Sequence, residues 1–429
     1  MIATLSTAVI TVALFLFSVL FFPSVGKSKK IKIYPFIPLV GGIFTVVFGE
    51  LTFSEVFVSF TENTSVNPIK ILVLFLSMTV YSLILDKTGF FGYISGLVLK
   101  RSGHNQLKVF LSLYIVISIL TIFTSNDIVI LTFTPFICHF CKSAKIDVIP
   151  YLIMEFVTAN TWSLFLLIGN PTNIYISGAF DISFTEYLVN MALPTVAAGL
   201  VSLGIMMILF GKKLRKSVNT VVQMTEINDK PLMTVALVHL IVCILLLAVS
   251  QYTSMEMWLI SLCVALSALV FSVAVLALRH KKLTPIYDAL KGMPFEIVPF
   301  VIGMFIIVLG LDSAGVTQFI ATLLDGGNGV LVYGMASMLS SNFLNNIPMS
   351  VLFSKILAST TSISEVFATI AGSNIGAFIT PVGALAGIIW SNLIKQNKVR
   401  MSVGKFVVYG VSIGIPTMLA SLAVIMLVV

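Results

Sequence analysis

The chain reads as an all-α polytopic membrane protein: an inverted repeat with two re-entrant hairpins and two unwound helices. Three observations support this. Hydrophobic residues make up 58% of the 429 residues and charged residues only 10%, where soluble domains carry about a quarter charged. Continuously apolar runs recur along the whole length, each about the 20 residues a helix needs to cross the hydrocarbon. Four of those runs are interrupted by short polar or Gly/Pro-containing breaks, in two matched pairs. Because the runs do not alternate, a β-barrel is excluded.

Twelve spans follow, at 4–22, 35–49, 70–85, 107–140 (interrupted), 151–180 (interrupted), 188–210, 232–250, 257–278, 295–311, 329–358 (interrupted), 366–393 (interrupted) and 405–429. The first 22 residues lack a basic start and a small-residue cleavage site, so they are expected to stay as a membrane helix. Cys138, Cys141, Cys243 and Cys263 lie in or beside apolar runs, which argues against a disulfide framework. The net charge of +8 is what cytoplasmic loops supply and does not imply nucleic acid.

Basic residues set the orientation. Lys27, Lys29, Lys30, Lys32, Lys100, Arg101, Lys108, Lys142, Lys145, Lys212, Lys213, Arg215, Lys216, Lys230, Arg279, Lys281, Lys282, Lys291, Lys395, Lys398, Arg400 and Lys405 fall on one side, the cytoplasm. Glu55, Glu62, Asp181, Glu186, Glu256, Asp325 and Glu365 mark the other. Lys108 and Lys142 share a side although 34 residues separate them, so the chain between them is a hairpin with its tip at Ser125–Asp127. Unpaired backbone at such a tip requires protein or a water-filled cavity around it.

The second half echoes the first at an offset of about 220 residues. Leu83-Ile84-Leu85-Asp86 followed by Gly89 matches Leu309-Gly310-Leu311-Asp312 followed by Gly315. "SNDIVILTFTP" is echoed by "NNIPMSVLFS", and "ANTWSLFLLIGNPTN" by "SNIGAFITPVGA". The second hairpin is flanked by Asp325 and Glu365 and therefore comes from outside, so the halves are inverted. The expected organisation is a first repeat with its N-terminal helices at 1–210, a cytoplasmic linker at 211–231 and a second repeat at 232–429. Paired broken segments in inverted halves point to a secondary transporter with its site near the midplane.

The candidate solute- or ion-binding residues are the polar groups of those breaks: Ser125, Asn126, Asp127, Asn170, Thr172, Asn173, Asn342, Asn345, Asn346, Ser373, Asn374 and Thr380. Asp127 is expected to be the N-cap of a half-helix beginning near Ile128 and to be the coupling acid, binding and releasing H⁺ or Na⁺. Capping alone is the simpler alternative. Gly169 and Pro171 break the second helix, while three asparagines at 342–346 are costly in apolar surroundings unless each amide is bonded. Glu155 is deep enough to be a second proton-coupling group. Cys138-His139-Phe140-Cys141 lacks further ligands and reads as packing. Asp86 and Asp312 are expected to cap helix ends. No phosphate-binding loop, Ser-His-Asp set or metal-ligand set stands out, so neither an ATPase nor another enzyme is indicated and no cofactor or metal is implied.

"SLILDKTGFF", "SNDIVILTFTPF", "NNIPM" and "ITPVGALAGIIW" together resemble the arsenite efflux permeases (arsenical pump membrane proteins). These belong to the ion transporter superfamily, with the D-type sodium/proton antiporters and the divalent-anion/sodium symporters. The resemblance spans about residues 70–429. It implies a scaffold and a transport domain in each protomer, elevator-type alternating access, a homodimer in the cell membrane, and solute lining from Ser125–Asp127, Asn345–Asn346, Asn170–Asn173 and Thr380–Gly383. A soluble ATPase partner would engage the central loop. The four breaks contain no Lys or Arg, which favours a neutral polyhydroxyl solute such as arsenous acid. Proton-coupled efflux of arsenite or antimonite is therefore the first expectation. Na⁺/H⁺ antiport is the second, and sodium-coupled di/tricarboxylate or sulfate transport the third.

Overall fold

A computed structural model describes residues 2–21, 24–25, 31–49, 51–63, 67–102, 105–215, 217, 226–253, 255–358 and 362–429. Lys27, Lys29, Lys30, Lys216 and residues 218–225 of the expected linker lie outside the described residues. Apart from a two-residue antiparallel pairing of Ser24–Val25 with Ile31–Lys32, the named elements are helices. Among the described residues eight helices are long and apolar enough to cross a membrane, or up to nine when one bent pair counts as a span. By that measure the chain is a multi-pass membrane protein.

The order begins with α1 (Ile2–Phe21), α2 (Phe36–Phe48) and the short α3 (Phe53–Thr61). Then come α4 (Pro68–Lys87), α5 (Phe90–Ser102), α6 (Gln106–Phe123) and α7 (Asn126–Ala144). The first broken helix is α8 (Ile149–Trp162) and α9 (Pro171–Ala179), separated by a 3₁₀ turn at Leu167–Gly169. The long α10 (Phe184–Leu214) closes this half. After α11 (Lys230–Ala248), α12 (Ser250–Thr253), α13 (Met257–Leu278) and α14 (Thr284–Lys291), the same series of elements returns. It runs α15 (Ile297–Ser313), α16 (Val316–Leu324), α17 (Gly329–Leu344), α18 (Asn346–Leu357), α19 (Ile363–Gly376), α20 (Leu385–Gln396) and α21 (Val403–Val428). So α4–α10 and α15–α21 match kind for kind: helix, short bent helix, hairpin, broken helix, long helix.

The repeated Leu-x-Leu-Asp-x-x-Gly explains the first corner of each series. Gly89 (φ +81°) and Gly315 (φ +76°) are left-handed, a conformation glycine adopts without steric cost. Their N–H groups donate to Asp86 O and Asp312 O at 3.0 and 2.9 Å. The chain turns there, by 78° between α15 and α16. These corner bonds are to main-chain oxygens, so the two carboxylates do not cap the helix ends as expected; they bond other side chains instead. Asp86 accepts from Thr132 of α7 at 3.2 Å, and Asp312 lies 3.6 Å from Lys355 of α18. Each corner thus holds one arm of a hairpin.

Short polar side chains cap the starts of many helices. Asn67, Asn105, Ser125, Asn170, Ser183, Asp229, Asn328, Asn345 and Ser402 each accept from a first-turn N–H. Burial places the centre. Every residue from Ile149 to Thr161 of α8, Pro171 to Gly178 of α9 and Val366 to Gly376 of α19 is buried. These buried helices form the centre, and α6, α7, α10, α17, α18 and α21 pack around them. Small residues permit the tightest crossing, α17 on α19. A Cβ on Gly376 would lie 2.3 Å from Ser341 Oγ and 2.5 Å from Met338 O.

Ion pairs tie the helix ends on the two sides. Asp229 binds Arg279 at 2.5 Å and Lys281 at 2.6 Å, Asp147 binds Lys213 at 2.6 Å, and Lys32 binds Glu296. On the opposite side Lys70 binds Glu256. Burial alone would raise the Asp229 carboxyl, but Lys281, the Leu232 N–H and Arg279 outweigh it and hold it below its ordinary range.

Candidate functional site

Most of the twelve candidate polar residues gather into two knots. The first joins the two broken helices. Asn374 of α19 accepts from Asn170 Nδ2 at 2.8 Å and from Ser163 Oγ at 2.9 Å. Its own amide donates to Asn173 Oδ1 at 2.7 Å and to Ile370 O at 3.0 Å. Ser373 and Thr172 hydroxyls meet at 3.0 Å. Asn173 Nδ2 reaches back to Ser163 O (2.8 Å) and Leu166 O (3.3 Å), replacing helix bonds lost in the unwound segment. Gly169 is required by close approach, since a Cβ there would sit 2.3 Å from Ser163 O. All five candidates of this knot are essentially inaccessible, and each amide is bonded, as burial demands.

The second knot joins the second hairpin to the second break. Asn342 Oδ1 accepts from Thr380 N at 2.9 Å, Asn345 Nδ2 donates to Val382 O at 3.0 Å, and Asn346 N donates to Gly383 O at 2.9 Å. Asn345 caps α18 at φ +74°.

The tip of the first hairpin is arranged differently. The N-cap of α7 is Ser125, which accepts from Ile128 N at 3.5 Å. This corrects the expectation for Asp127. The helix starts at Asn126, so Asp127 lies in its first turn, where its side chain is past the capping position. Asn126 Nδ2 donates to Asn160 Oδ1 of α8 at 3.1 Å, and Asn126 Oδ1 accepts from Asp127 N at 2.9 Å. The Asp127 carboxylate has no hydrogen bond or ion pair among the described residues. It faces a cavity of about 510 Å³ that Tyr34, Lys291, Glu296, Asn392 and Gln396 also line. The cavity separates α7 and α20 on one side from the α2 approach and the α14–α15 loop on the other. Lys32 and Lys291 place it on the cytoplasmic side.

Glu155 stands apart from both knots. It is completely buried in α8, and its Oε1 accepts from Thr134 of α7 at 2.8 Å. Its Oε2 and the Trp390 indole N–H are both buried without a hydrogen-bond partner. No cation pairs with Glu155 among the described residues. Cys138 and Cys141 are buried in the core, and no group of three or more metal-ligating side chains occurs among the described residues.

Sequence reasoning missed Asn160 and Ser163, although both stand in the quoted "ANTWS". It also missed Tyr34, Lys291, Glu296, Asn392 and Gln396. These carry no motif, and only folding brings residues 34, 127, 291 and 392 to one cavity.

Residues 12–371 match the model of the family described as CitMHS, citrate transporter. Arsenical pump membrane proteins are similar over most of the chain. One from Escherichia coli strain K12 is 26% identical over 369 residues, covering 81% of this chain and 84% of its own. A putative one from Bacillus subtilis is 24% identical over 371 residues, covering 78% and 82%. The crystal structure of the Alcanivorax borkumensis YdaH transporter, described as having an unusual topology, superposes with a TM-score of 0.58. It does so at 10% identity over 97% of both chains, a likeness of fold. A matched family, an inverted all-helical architecture and buried polar breaks in the membrane-spanning helices agree: the chain belongs to the CitMHS family and is a multi-pass secondary transporter.

Proposed function

We propose that the protein extrudes a small, uncharged, hydroxyl-rich inorganic solute, arsenite or antimonite, in exchange for protons. The observation that carries this is the Asp127 carboxylate, which faces the cytoplasmic cavity with no partner among the described residues. An ionisable group so placed can take up and release a proton without dismantling the fold. The knots at Asn170–Asn374 and Asn342–Thr380 would open around the solute, exchanging amide–amide bonds for bonds to its hydroxyls.

Charge supports the neutral solute. Glu296 is tied to Lys32, so Asp127 and Lys291 are left as opposite charges in the cavity. A carboxylate oxygen held ~4 Å from Asp127 would be opposed by roughly 4 kcal/mol per charge at an effective dielectric of about 20. Lys291 offsets one such charge of a tricarboxylate. The names of the arsenical pump relatives support the same solute. Glu155 would hold a second proton. In this reading α6–α10 and α17–α21 travel as the transport domain of an elevator. The remaining helices form the scaffold, with residues 1–210 and 232–429 as the two repeats and 211–231 as the linker. Two protomers would pair through their scaffolds, and a soluble ATPase partner would engage the linker.

A sodium-coupled carboxylate carrier is the second reading, favoured by Lys291 and by the family's description. Proteoliposomes supplied with arsenite, antimonite, Na⁺, citrate or sulfate, each under an imposed pH or Na⁺ gradient, decide between them. Arsenite should move under the pH gradient alone. Citrate moving with Na⁺ while arsenite stays still would overturn the proposal.

A further inference from the structure

We infer that the cavity beside Asp127 is a cytoplasmic loading site shared between the two moving parts. In it Tyr34 and Lys291 from one side, and Asn392 from the other, contact the solute together with Asp127. The inference rests on the reading of the chain as an exporter of a small uncharged solute, and adds three residues that lie outside the hairpin tips and the polar breaks themselves.

The geometry points there for three reasons. First, the two knots spend their amides on each other and on the backbone, so in this state they offer a guest few free donors. Second, the space beside Asp127 on the cytoplasmic side, about 510 Å³, is large enough for a small solute with several waters. Third, its lining is chemically mixed in the way a polyhydroxyl guest needs. Asp127 accepts from hydroxyls, while Lys291 donates to their oxygens and Asn392 and Tyr34 can do either. Tyr34 is only 2% exposed and its ring packs edge-on against Phe15 of α1. Its position is therefore fixed by α1, whereas Asp127 and Asn392 ride on α7 and α20, which pack on each other. Glu296 is neutralised by Lys32, leaving Lys291 as the cavity's cation without an ion partner among the described residues.

A site divided this way comes apart when the two sides separate, so its residues should govern loading from the cytoplasm and leave the later steps alone. Inside-out membrane vesicles driven by an imposed pH gradient measure that directly. Lys291→Gln and Asn392→Ala should each raise the KM for arsenite about five- to tenfold with the maximal rate kept. Lys282→Gln, on the same cytoplasmic face but away from the cavity, should match the wild type. Asn392→Cys, in a chain whose four native cysteines are replaced by alanine, should react with a membrane-impermeant maleimide in inside-out vesicles and not in intact cells. Unchanged KM in both cavity variants, or a position 392 that is unreactive from the cytoplasmic face, would overturn the loading site. Wild-type vesicles that accumulate citrate with Na⁺ and no arsenite would instead remove the exporter reading. The KM of Lys291→Gln for citrate would then decide the loading site by itself.

Discussion

Replacing Asn374 by alanine tests what holds the two broken helices together. In the structure Asn374 Oδ1 is the partner of Asn170 Nδ2 at 2.8 Å, and Asn374 Nδ2 is the partner of Asn173 Oδ1 at 2.7 Å. Ser163 Oγ keeps Asn160 O at 2.9 Å after the substitution, so it is not stranded. Two buried polar groups are. An orphaned group costs about 1–3 kcal/mol, while interhelical hydrogen bonds within membranes average about 0.6 and reach about 1.7 kcal/mol. The expected loss is therefore roughly 2–4 kcal/mol, including the small void left by the amide. Unfolding in mixed micelles by SDS titration reads this directly. Combining Asn374→Ala with Asn170→Ala should cost less than the sum of the two single losses, with a coupling of about 1–2 kcal/mol, because the double variant leaves one fewer stranded donor. Single variants within about 0.5 kcal/mol of the wild type, or strictly additive losses, would refute the idea that these amides fasten the helices.

Two further outcomes concern other parts of the fold. Gly376→Ala should destabilise by about 1–3 kcal/mol, because its Cβ would lie 2.3 Å from Ser341 Oγ and 2.5 Å from Met338 O. Gly211→Ala, with nothing within 4 Å of its Cβ, should be neutral or stabilising by the same titration. Asp229 is held below its ordinary carboxylate range by Lys281, the Leu232 N–H and Arg279 acting against burial. A depressed carboxyl contributes stability that is complete above its unfolded value, about 3.9, and is lost as pH falls through the folded value. Thermal denaturation of the wild type should therefore steepen its decline below about pH 4, and that part of the decline should vanish in Asp229→Asn.

The membrane spans were legible because length and hydropathy suffice to set them; α4, α10 and α13 follow the expected 70–85, 188–210 and 257–278 closely. The helix corners were legible through Asp86…Gly89 and Asp312…Gly315, where glycine's left-handed freedom leaves a sequence mark. The shorter α3, α5, α14 and α16 were not among the spans, since none is long enough to cross and their stability comes from neighbours. At the first hairpin the motif located the tip but misplaced the cap by two residues. Ser, Asn and Asp all cap well, so three in a row give no choice between them. The polar residues of the breaks were identified from composition alone. That Asn170, Asn173 and Asn374 bond one another, while Asp127 faces a different space, depends on how α8, α9 and α19 cross. The cavity's other walls at Tyr34, Lys291 and Asn392 come from segments hundreds of residues apart, and no local pattern links them.

The most direct test of the account is pH-driven arsenite transport by Asp127→Asn in proteoliposomes, beside the wild type. The Asp127 side chain makes no hydrogen bond or ion pair among the described residues, so the variant should unfold at the same point in the SDS titration as the wild type. It should nevertheless lose arsenite movement in response to the proton gradient. Undiminished proton-driven movement in a folded Asp127→Asn protein would contradict the account.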